Sequence, residues 1–317
     1  MSTWEIRHVN HASPESDKQE TLRIWDEKGG LYADLTRQRL QAQFAQERFG
    51  MAVAFDKGKC VSTTAYILSP RGQGILTQVY TVPAYRGQGI GKATVAETIQ
   101  ILRALEGRAI YLAAWQDWIR NIYQKAGFEF IGAMGNRHAF KLTLDPSGDD
   151  STLFRKNQQT AIRPLAKDDQ ADLSALFNAK HNNIIKHYEL SCFLGSHFEA
   201  EFFKLQKHKG HTAWVLDGTE TIQGFATIMP SHNRHETHCG TVDLLIHTNQ
   251  TAQAEALLDA LETTSDSEVL YTYIASNENS KRSFFLKAGY QKIAHLKKRL
   301  SIGTAHYDLD LYEKQRH

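Results

Sequence analysis

The apolar residues of this chain recur with two different periods, and the period changes many times along the chain. At Leu173, Leu176 and Phe177 they fall at positions i, i+3 and i+4, which predicts an amphipathic helix. Residues 92–106 show a similar helical stripe and end at Gly107, a residue that commonly follows a helix. Shorter apolar runs bounded by turn residues predict strands between these helices.

The predicted elements follow the same order in the two halves of the chain. In the first half they are a strand at 6–9, a helix, a second helix at 36–49 with Thr36 as N-cap, strands at 51–55, 61–68 and 75–82, the helix at 92–106, a strand at 109–114, a helix and two strands ending near Leu144. In the second half they are a strand at 162–165, the helix around Leu173, strands at 212–216, 222–229 and 240–247, a helix at 253–263, a strand at 268–275, a helix and two strands ending near Leu311.

Two Lys-Ala-Gly-aromatic tetrads mark equivalent points of the two halves. They begin at Lys125 and Lys287, which are 162 residues apart, and the opening Ile-Arg pairs at Ile6 and Ile162 are 156 residues apart. Offsets that nearly agree around one element order predict a tandem duplication. We therefore expect an α/β fold of two units, each with a mixed, mostly antiparallel sheet flanked by helices.

The boundary between these units is predicted from composition. Residues 145–151 read Asp-Pro-Ser-Gly-Asp-Asp-Ser, a mixture of turn formers and charge that is typical of an exposed linker. We expect a catalytic domain at residues 1–145, a linker at 146–159 and a second domain at 160–317.

Composition narrows the function classes. The 317 residues are 41% hydrophobic and carry a formal charge of +2, which does not favour a nucleic-acid partner. Three widely spaced cysteines suggest neither a disulfide framework nor a cysteine-rich zinc site. The N-terminus has no signal-peptide pattern, and no apolar run approaches the roughly 20 residues of a membrane helix. We expect a cytoplasmic protein without a membrane partner.

The most informative motif is Arg86-Gly87-Gln88-Gly89-Ile90-Gly91, which joins a predicted strand to a predicted helix. Glycines let the backbone approach a pyrophosphate closely, and a helix N-terminus adds positive potential. A plain tight connection is the alternative. Arg-Gly-Gln-Gly, the first four residues of this motif, also occurs at residues 71–74, where it lies between two predicted strands and is interpreted as a hairpin turn.

This motif resembles the acyl-coenzyme A loop of the GNAT superfamily of N-acetyltransferases. Tyr123 to Phe128, Tyr-Gln-Lys-Ala-Gly-Phe, resembles the second signature of that family. The resemblance implies acetyl-CoA as acyl donor, with the strand backbone pairing with pantetheine and the amides of residues 87–92 holding the pyrophosphate. It also implies an amide near Thr81 that faces the thioester carbonyl. The implied donor-binding residues are Val79, Tyr80, Thr81, Arg86, Gly87, Gln88, Gly89, Ile90, Gly91 and Lys92.

The resemblance places Tyr123 where many family members keep the acid that protonates the leaving thiolate. The alternative is that Tyr123 only packs on the sheet. Family members often carry an Asn seven residues before this Tyr, whereas this chain has Gln116.

Two tryptophans near the end of the strand at 109–114 are candidates for an acceptor pocket. Trp115 and Trp118 can line it, and Asp117 can bind a cationic amine; core packing of Trp118 and an N-cap role for Asp117 remain alternatives. No clear general base is found. Glu97 is expected to face solvent, while His138 and Asp34 read as a surface histidine and a loop aspartate.

The second half keeps the element order but lacks the glycine-rich motif and the tyrosine of the first half. No glycine occurs between Gly240 and Gly289, and Phe285 stands where Tyr123 stands in the first half. We expect a degenerate domain there. Between residues 232 and 239, three histidines, a glutamate and a cysteine are close enough to suggest zinc, but a polar surface loop is favoured and no metal is expected.

Together these features predict an N-acetyltransferase that moves an acetyl group from acetyl-CoA to a primary amine, by direct attack. A small-molecule acceptor is favoured because the chain is nearly neutral. Transfer to a protein or peptide, and a non-catalytic acyl-CoA-binding sensor or scaffold, are the alternatives. The chain can be a monomer with an internal pseudo-dimer or a homodimer.

Overall fold

The computed structural model describes residues 4–43, 46–115, 117–134, 137–181, 183–191, 202, 205 and 209–316. The chain divides into two compact units, called here the first and the second unit. The first comprises Met1–Leu112 and Leu142–Gly148, and the second comprises Ala113–Lys141 and Asp149–His317.

The first seven strands form one mixed sheet in the order β1-β2-β3-β4-β5-β7-β6. β4 and β5 are parallel, whereas β1–β2, β2–β3, β3–β4 and β6–β7 are antiparallel. The strands are β1 Trp4–Val9, β2 Arg48–Asp56, β3 Lys59–Leu68, β4 Gln73–Thr81, β5 Ala109–Ala114, β6 Glu129–Met134 and β7 Arg137–Thr143. The helices along this stretch of chain are α1 Glu15–Lys28, α2 Leu31–Gln41, α3 Ile90–Ala104 and α4 Asp117–Lys125.

The remaining strands form a second seven-stranded sheet with the same connectivity, β8-β9-β10-β11-β12-β14-β13. Its parallel pair, β11–β12, is equivalent to β4–β5. The strands are β8 Thr160–Pro164, β9 Thr212–Gly218, β10 Ile222–Pro230, β11 Cys239–Ile246, β12 Val269–Ala275, β13 Gln291–Ile302 and β14 Ala305–Gln315. The helices are α5 Asp150–Leu153, α6 Gln170–Asn178, α7 Ala254–Thr263 and α8 Asn279–Lys287. The predicted α/β fold with two tandem sheets is confirmed.

The two tetrads adopt the same turn, as expected for a duplication. In the first, Gly127 has φ +95° and the amide of Phe128 donates to the carbonyl of Tyr123. In the second, Gly289 has φ +91° and the amide of Tyr290 donates to the carbonyl of Phe285. Each glycine therefore ends a helix in a backbone conformation that other residues rarely adopt.

One predicted helix is placed wrongly. The helix expected at residues 36–49 is α2, which begins at Leu31, and Phe49 lies in β2. Gly29 and Gly30, with φ +64° and +72°, separate α1 from α2 and so set the earlier start. Thr36 is not an N-cap, because it lies inside α2 with its hydroxyl bonded to the carbonyl of Tyr32.

The segment predicted as an exposed linker is partly folded. It contains a short 3-10 helix at Pro146–Gly148 and the helix α5. Leu153 and Phe154 are buried, with exposed fractions of 0% and 1%. The domain boundaries themselves stay a prediction.

The shared turn supports a stability prediction. Replacing Gly289 with Ala is expected to lower the free energy of unfolding by about 1 kcal/mol, because alanine disfavours positive φ. Only the Lys314 side chain lies within 4 Å of the added Cβ, at 3.8 Å, so the loss would reflect backbone strain rather than a clash. Denaturant midpoints measure it, with Gly132→Ala as a control in open space and without positive φ. An unchanged midpoint for Gly289→Ala would contradict this account.

Candidate functional site

β4 leaves the regular pleat near its carboxyl end. Its register with β3 shifts between Thr63 and Ala65, so that β4 carries an extra residue there. Gln78 adopts φ +52° within the resulting bulge, and the hydroxyl of Thr63 donates to its carbonyl at 3.0 Å. A bulge bends its strand and redirects the groups that follow. The backbone of Val79, Tyr80 and Thr81 is therefore displaced from the path of the strand.

The side chain of Gln78 ties this bulge to α2. It is 9% exposed, and its amide nitrogen donates to the carbonyl of Tyr32 at 3.1 Å and to the hydroxyl of Thr36. A buried amide that is bonded in this way holds a backbone conformation that glutamine seldom adopts alone. The bulge is thus a fixed part of the fold.

Beyond its first residues, β4 separates from its parallel neighbour. The recorded pairing with β5 covers only residues 73–75 of β4. The final residues of β4 therefore offer backbone donors and acceptors on that side, and Val79 is 38% exposed. An extended ligand can pair with such an edge as an added strand.

The glycine-rich turn that follows β4 requires two positive φ angles. Gly87 has φ +78°, and Gly89, the residue before α3, has φ +79°. A Cβ at either position would meet no atom within 4 Å, so the backbone here faces open space. At Gly91 the requirement is different, because a Cβ would lie 2.9 Å from the Thr81 hydroxyl oxygen.

Three contacts fix this turn against the sheet. The Arg86 Nε donates to the carbonyl of Thr81 at 3.1 Å, and the Tyr85 hydroxyl donates to Asp56 at 2.8 Å. The amide of Val82 donates to the carbonyl of Val61. The first-turn amides of α3 have no intrahelical acceptors, and the helix dipole makes this end positive. With room above Gly87 and Gly89, the turn fits a phosphate or pyrophosphate group.

The structure brings the expected donor-binding residues together in the first unit. They lie at the end of β4, in the turn that follows, or at the start of α3, and are Val79, Tyr80, Thr81, Arg86, Gly87, Gln88, Gly89, Ile90, Gly91 and Lys92. Their binding roles stay predictions. The bulge at Gln78 was missed, and a glutamine within an apolar strand gives no signal for it.

Tyr123 lies on α4, in the second unit. Its side chain is 7% exposed and its ring packs against Phe128 and Phe140, with centroid separations of 5.6 Å. Burial raises the pKa of Tyr123 to about 12. The phenol therefore stays protonated at neutral pH, as a proton donor must, and its role as the acid stays a prediction.

The other candidate residues are scattered. Trp115 is 60% exposed, while the side chains of Asp117 and Trp118, and all of Gln116, lie outside the described part. Glu97 is exposed on α3, as expected. His138 was expected at the surface, which is wrong: it lies on β7 and is 7% exposed. Asp34 is exposed but lies in α2 rather than in a loop.

The position equivalent to the glycine turn is filled in the second unit. A 3-10 helix, Thr248–Gln253, replaces the turn there, and His247 accepts a hydrogen bond from the amide of Asn249. The ring of Phe154 stacks on His247 at 4.3 Å, and its carbonyl accepts from the Asn249 side chain at 2.6 Å. The expected loss of a backbone cradle in the second unit stays a prediction.

The gap between β11 and β12 is filled as well. These strands pair only over residues 239–241 of β11, and residues 184–190, called here the filling segment, contact both strands beyond that point. The amide of Tyr188 donates to Asp243 at 2.5 Å, and its ring stacks on Tyr273 of β12 at 4.2 Å. The β10–β11 register is continuous, without the bulge of β4.

Buried charges hold the filling segment in place. Lys281 and Asp243 form an ion pair at 2.5 Å, with side chains 1% and 2% exposed. Lys281 also donates to the carbonyl of Ile185 at 3.1 Å, and Glu278 accepts the amides of Ile184 and Ile185. Each charge has a partner from the segment, so the segment and the charges depend on one another.

The aromatic pair of the second unit is exchanged relative to the first. Phe285 and Tyr290 make an edge contact at 5.0 Å, in the positions of Tyr123 and Phe128. The Tyr290 hydroxyl donates to Glu262 at 2.8 Å. The contact therefore still contains one tyrosine, but its hydroxyl is hydrogen-bonded to a buried glutamate.

Neither a metal cluster nor a membrane span is found among the described residues. No group of three or more His, Cys, Asp or Glu side chains there is arranged to hold a metal ion. In the loop at residues 231–238, Glu236 accepts from Ser231 and Asn233. None of the helices in the described ranges is both long enough and apolar enough to cross a bilayer.

Comparison with known proteins identifies part of the chain. Residues 16–128 match the model of the Acetyltransferase (GNAT) family, a range that contains β4, the glycine turn and Tyr123. The search of the curated proteins gave no match.

Several solved structures resemble about half of the chain. An acetyltransferase of the GNAT family from Streptococcus pneumoniae is 14% identical, with 50% of this chain and 100% of that chain covered and a TM-score of 0.42. A ribosomal-protein-alanine N-acetyltransferase from Brucella melitensis is 16% identical, with coverages of 49% and 99% and a TM-score of 0.42. Mutant forms of the spermidine/spermine N-acetyltransferase SpeG from Vibrio cholerae are 16% identical, with coverages of 50% and 94% and a TM-score of 0.39.

The filling segment supports a pH prediction. His187 is 1% exposed; its Nε2 bonds Thr227 and its Nδ1 accepts the amide of Leu190, so the ring is held neutral. Burial lowers its pKa to about 4 from 6.5. Between about pH 6.5 and pH 4, His187 is protonated in the unfolded chain but stays neutral in the folded chain. Roughly 3 kcal/mol of unfolding free energy is lost in that window.

Unfolding measured between pH 7 and pH 4.5 tests this assignment. His187→Asn keeps an acceptor near Nδ1 but does not titrate, so its unfolding free energy should fall less steeply with acid than that of the wild type. Parallel curves for the two proteins would show that His187 does not contribute. His181, whose pKa is lowered to about 3 mainly by burial, contributes equally to both curves.

Proposed function

We propose that this chain, which carries an acetyltransferase (GNAT) domain at residues 16–128, transfers an acetyl group from acetyl-CoA to the primary amine of a small molecule. The observation that carries the proposal is the arrangement in the first unit. A bulged strand with an open edge leads, through the short 3-10 helix Pro83–Tyr85, into a glycine turn at the N-terminus of α3.

The chain's own groups fit the acyl donor in two places. The free edge at Val79, Tyr80 and Thr81 would pair with the amide groups of pantetheine, and the amides of residues 87–92 would bind the pyrophosphate. Backbone amides just after the bulge, near Thr81, would donate to the thioester carbonyl as it gains negative charge. Bound acetyl-CoA supplies the activated acyl group, so the chain has to orient it and manage protons.

Direct attack by the amine is favoured over a covalent acyl-enzyme. Cys60 is buried, and burial raises the pKa of its thiol to about 12, which leaves almost no thiolate at neutral pH. The pKa of Cys239 is also raised, chiefly by burial. Cys192 lies outside the described residues. Tyr123, protonated at neutral pH, is the proposed donor to the departing thiolate.

A single donor site per chain follows from the contrast between the units. In the second unit, Phe154 packs on His247 and bonds Asn249 in the connection after β11, and the filling segment lies between β11 and β12 beyond their pairing. We therefore assign donor binding to the first unit. The acceptor is proposed to be a small amine, with a protein amine as the alternative acceptor.

Calorimetric titration of acetyl-CoA into the protein tests the donor site. We expect one site per chain, and we expect Gly89→Val to abolish it because valine disfavours φ +79° and its side chain would enter the pyrophosphate space. Gly58→Val is the matched control, since Gly58 has φ +77° and equally open surroundings but lies in the β2–β3 turn. Two sites would contradict the assignment of the second unit, and no binding would exclude acetyl-CoA as donor.

The proposed acid is tested by Tyr123→Phe. We expect kcat to fall by about 100-fold, within the range that general acids contribute, with the Kd of acetyl-CoA unchanged. Thiol release with an amine screen measures the rate. Tyr290→Phe is the control, because it also removes one buried phenol hydroxyl and should not affect the rate. Undiminished turnover in Tyr123→Phe would remove Tyr123 from the mechanism, and donor binding without thiol release for any amine would favour the sensor alternative.

A further inference from the structure

An aromatic cluster adjoins the bulge on the side of α1 and α2. Trp25, at the end of α1, lies 6.4 Å from Tyr32 of α2 and 6.2 Å from Tyr80 of β4, measured between ring centroids. Gln78 bonds the carbonyl of Tyr32, so the cluster and the bulge are held by the same contacts. The backbone of Tyr80 forms part of the proposed donor edge. A molecule resting on this cluster would therefore lie beside the thioester.

Two cations face the Tyr80 ring. The Lys28 Nζ lies 3.7 Å from the ring centroid, and the Arg86 guanidinium carbon lies 5.9 Å from it. No ion pair is recorded for either side chain within the described residues. Burial, followed by the positive charge of Arg86, lowers the pKa of Lys28, as expected for a cation that lacks a counter-ion.

The acidic residues nearest to Lys28 in the sequence form ion pairs with arginines. Asp26 pairs with Arg37 at 2.5 Å, and Glu27 pairs with Arg23 at 3.0 Å. In the same cluster, the indole Nε1 of Trp25 is buried and has no hydrogen-bond partner among the described residues. A buried donor without a partner is costly, so the Trp25 N–H favours an oxygen acceptor, and the exposed cations Lys28 and Arg86 place positive charge beside the same cluster.

We propose that Lys28 is a specificity-determining residue for an acceptor that carries a carboxylate near its reactive amine, as an amino acid does. Lys28 binds the carboxylate above Tyr80, and the apolar part of the acceptor rests on the aromatic cluster. The amine then reaches the acyl group held along β4. This inference rests on the proposed acetyl transfer, because it names the acceptor class for that same site.

Matched acceptor pairs that differ only in the carboxylate test the inference. Phenylalanine with phenethylamine and lysine with cadaverine are assayed by thiol release from acetyl-CoA. The wild type is expected to prefer the carboxylated member of at least one pair by tenfold or more in kcat/KM. Lys28→Met should lower kcat/KM for that member by about 10- to 100-fold, mainly through KM, because a charge-assisted hydrogen bond is lost.

The decarboxylated partner should change by no more than about twofold in Lys28→Met, and Lys28→Glu should reverse the preference, since a like charge opposes the carboxylate. Lys28→Arg should restore part of it. Lys18→Met is the control on the same helix, where Lys18 already pairs with Glu15 at 2.9 Å. The Kd of acetyl-CoA, measured for each variant, should not change.

The possible outcomes separate this inference from the proposed function. Thiol release without any preference for the carboxylate, or a loss confined to acetyl-CoA affinity in Lys28→Met, would overturn the inference and leave acetyl transfer intact. The latter result would assign Lys28 to the phosphates of the donor. No thiol release with any amine, despite donor binding, would overturn the proposed transfer and the inference together.

Discussion

The bulge at Gln78 is the constraint on which the rest of the first unit depends. β4 stops pairing with β5 after residue 75, just as β11 stops pairing with β12 without any bulge, but a regular β4 would keep its last residues in the pleat pattern that it shares with β3. The extra residue turns Val79 to Thr81 away from that pattern, and the hydrogen bonds from Gln78 to α2 keep them there. The same bonds place the aromatic cluster of α1 and α2 beside the strand. The proposed donor edge and the proposed acceptor surface thus depend on the same contacts of Gln78.

The second unit has the same strand order as the first sheet but no bulge at the position equivalent to Gln78. Its strand order is identical and its parallel pair separates just as early, but the β10–β11 register runs without a bulge. The opening is occupied by the filling segment, which covers the ion pair of Asp243 and Lys281. The filling segment satisfies them, and Phe154 closes the remaining position against His247. The same strand connectivity is therefore compatible with an open strand edge in one unit and an occupied one in the other.

Much of the fold could be predicted from the sequence, because hydrophobic periods and glycines report local backbone directly. The repeated order of elements and the two tetrads indicated the duplication, and Gly87 and Gly89 indicated the turn before α3. Features set by tertiary contacts were missed. Nothing in the residue type of Gln78 signals a positive φ, since its partners lie more than 40 residues away in the sequence. The polar composition around residue 150 likewise gave no sign that Phe154 is buried, with its ring stacked on His247.

The errors have the same physical source. Thr36 has the chemistry of a helix cap, but the two glycines before Leu31 break the chain earlier and leave Thr36 inside a turn of α2. Histidine is a polar residue, but His138 lies on β7 with its ring against that of Phe130 and is buried. The aromatic cluster with Lys28 joins α1, α2 and β4, which lie far apart in the sequence, so only the folded chain brings it together.

The filling segment also has a thermodynamic consequence. The segment occupies the cleft between β11 and β12 as part of the same chain. Its effective concentration at the cleft is therefore fixed by the chain connection and does not depend on the protein or ligand concentration in solution. On the proposal that the second unit binds no donor, its cleft stays occupied in the folded state and its stability would not depend on the concentration of acyl donor. A cleft that must be filled by a free molecule gains stability only as that molecule accumulates. The two units would therefore respond differently to acyl donor. The stability of the first would rise with donor concentration, whereas the cleft of the second is occupied by residues of its own chain.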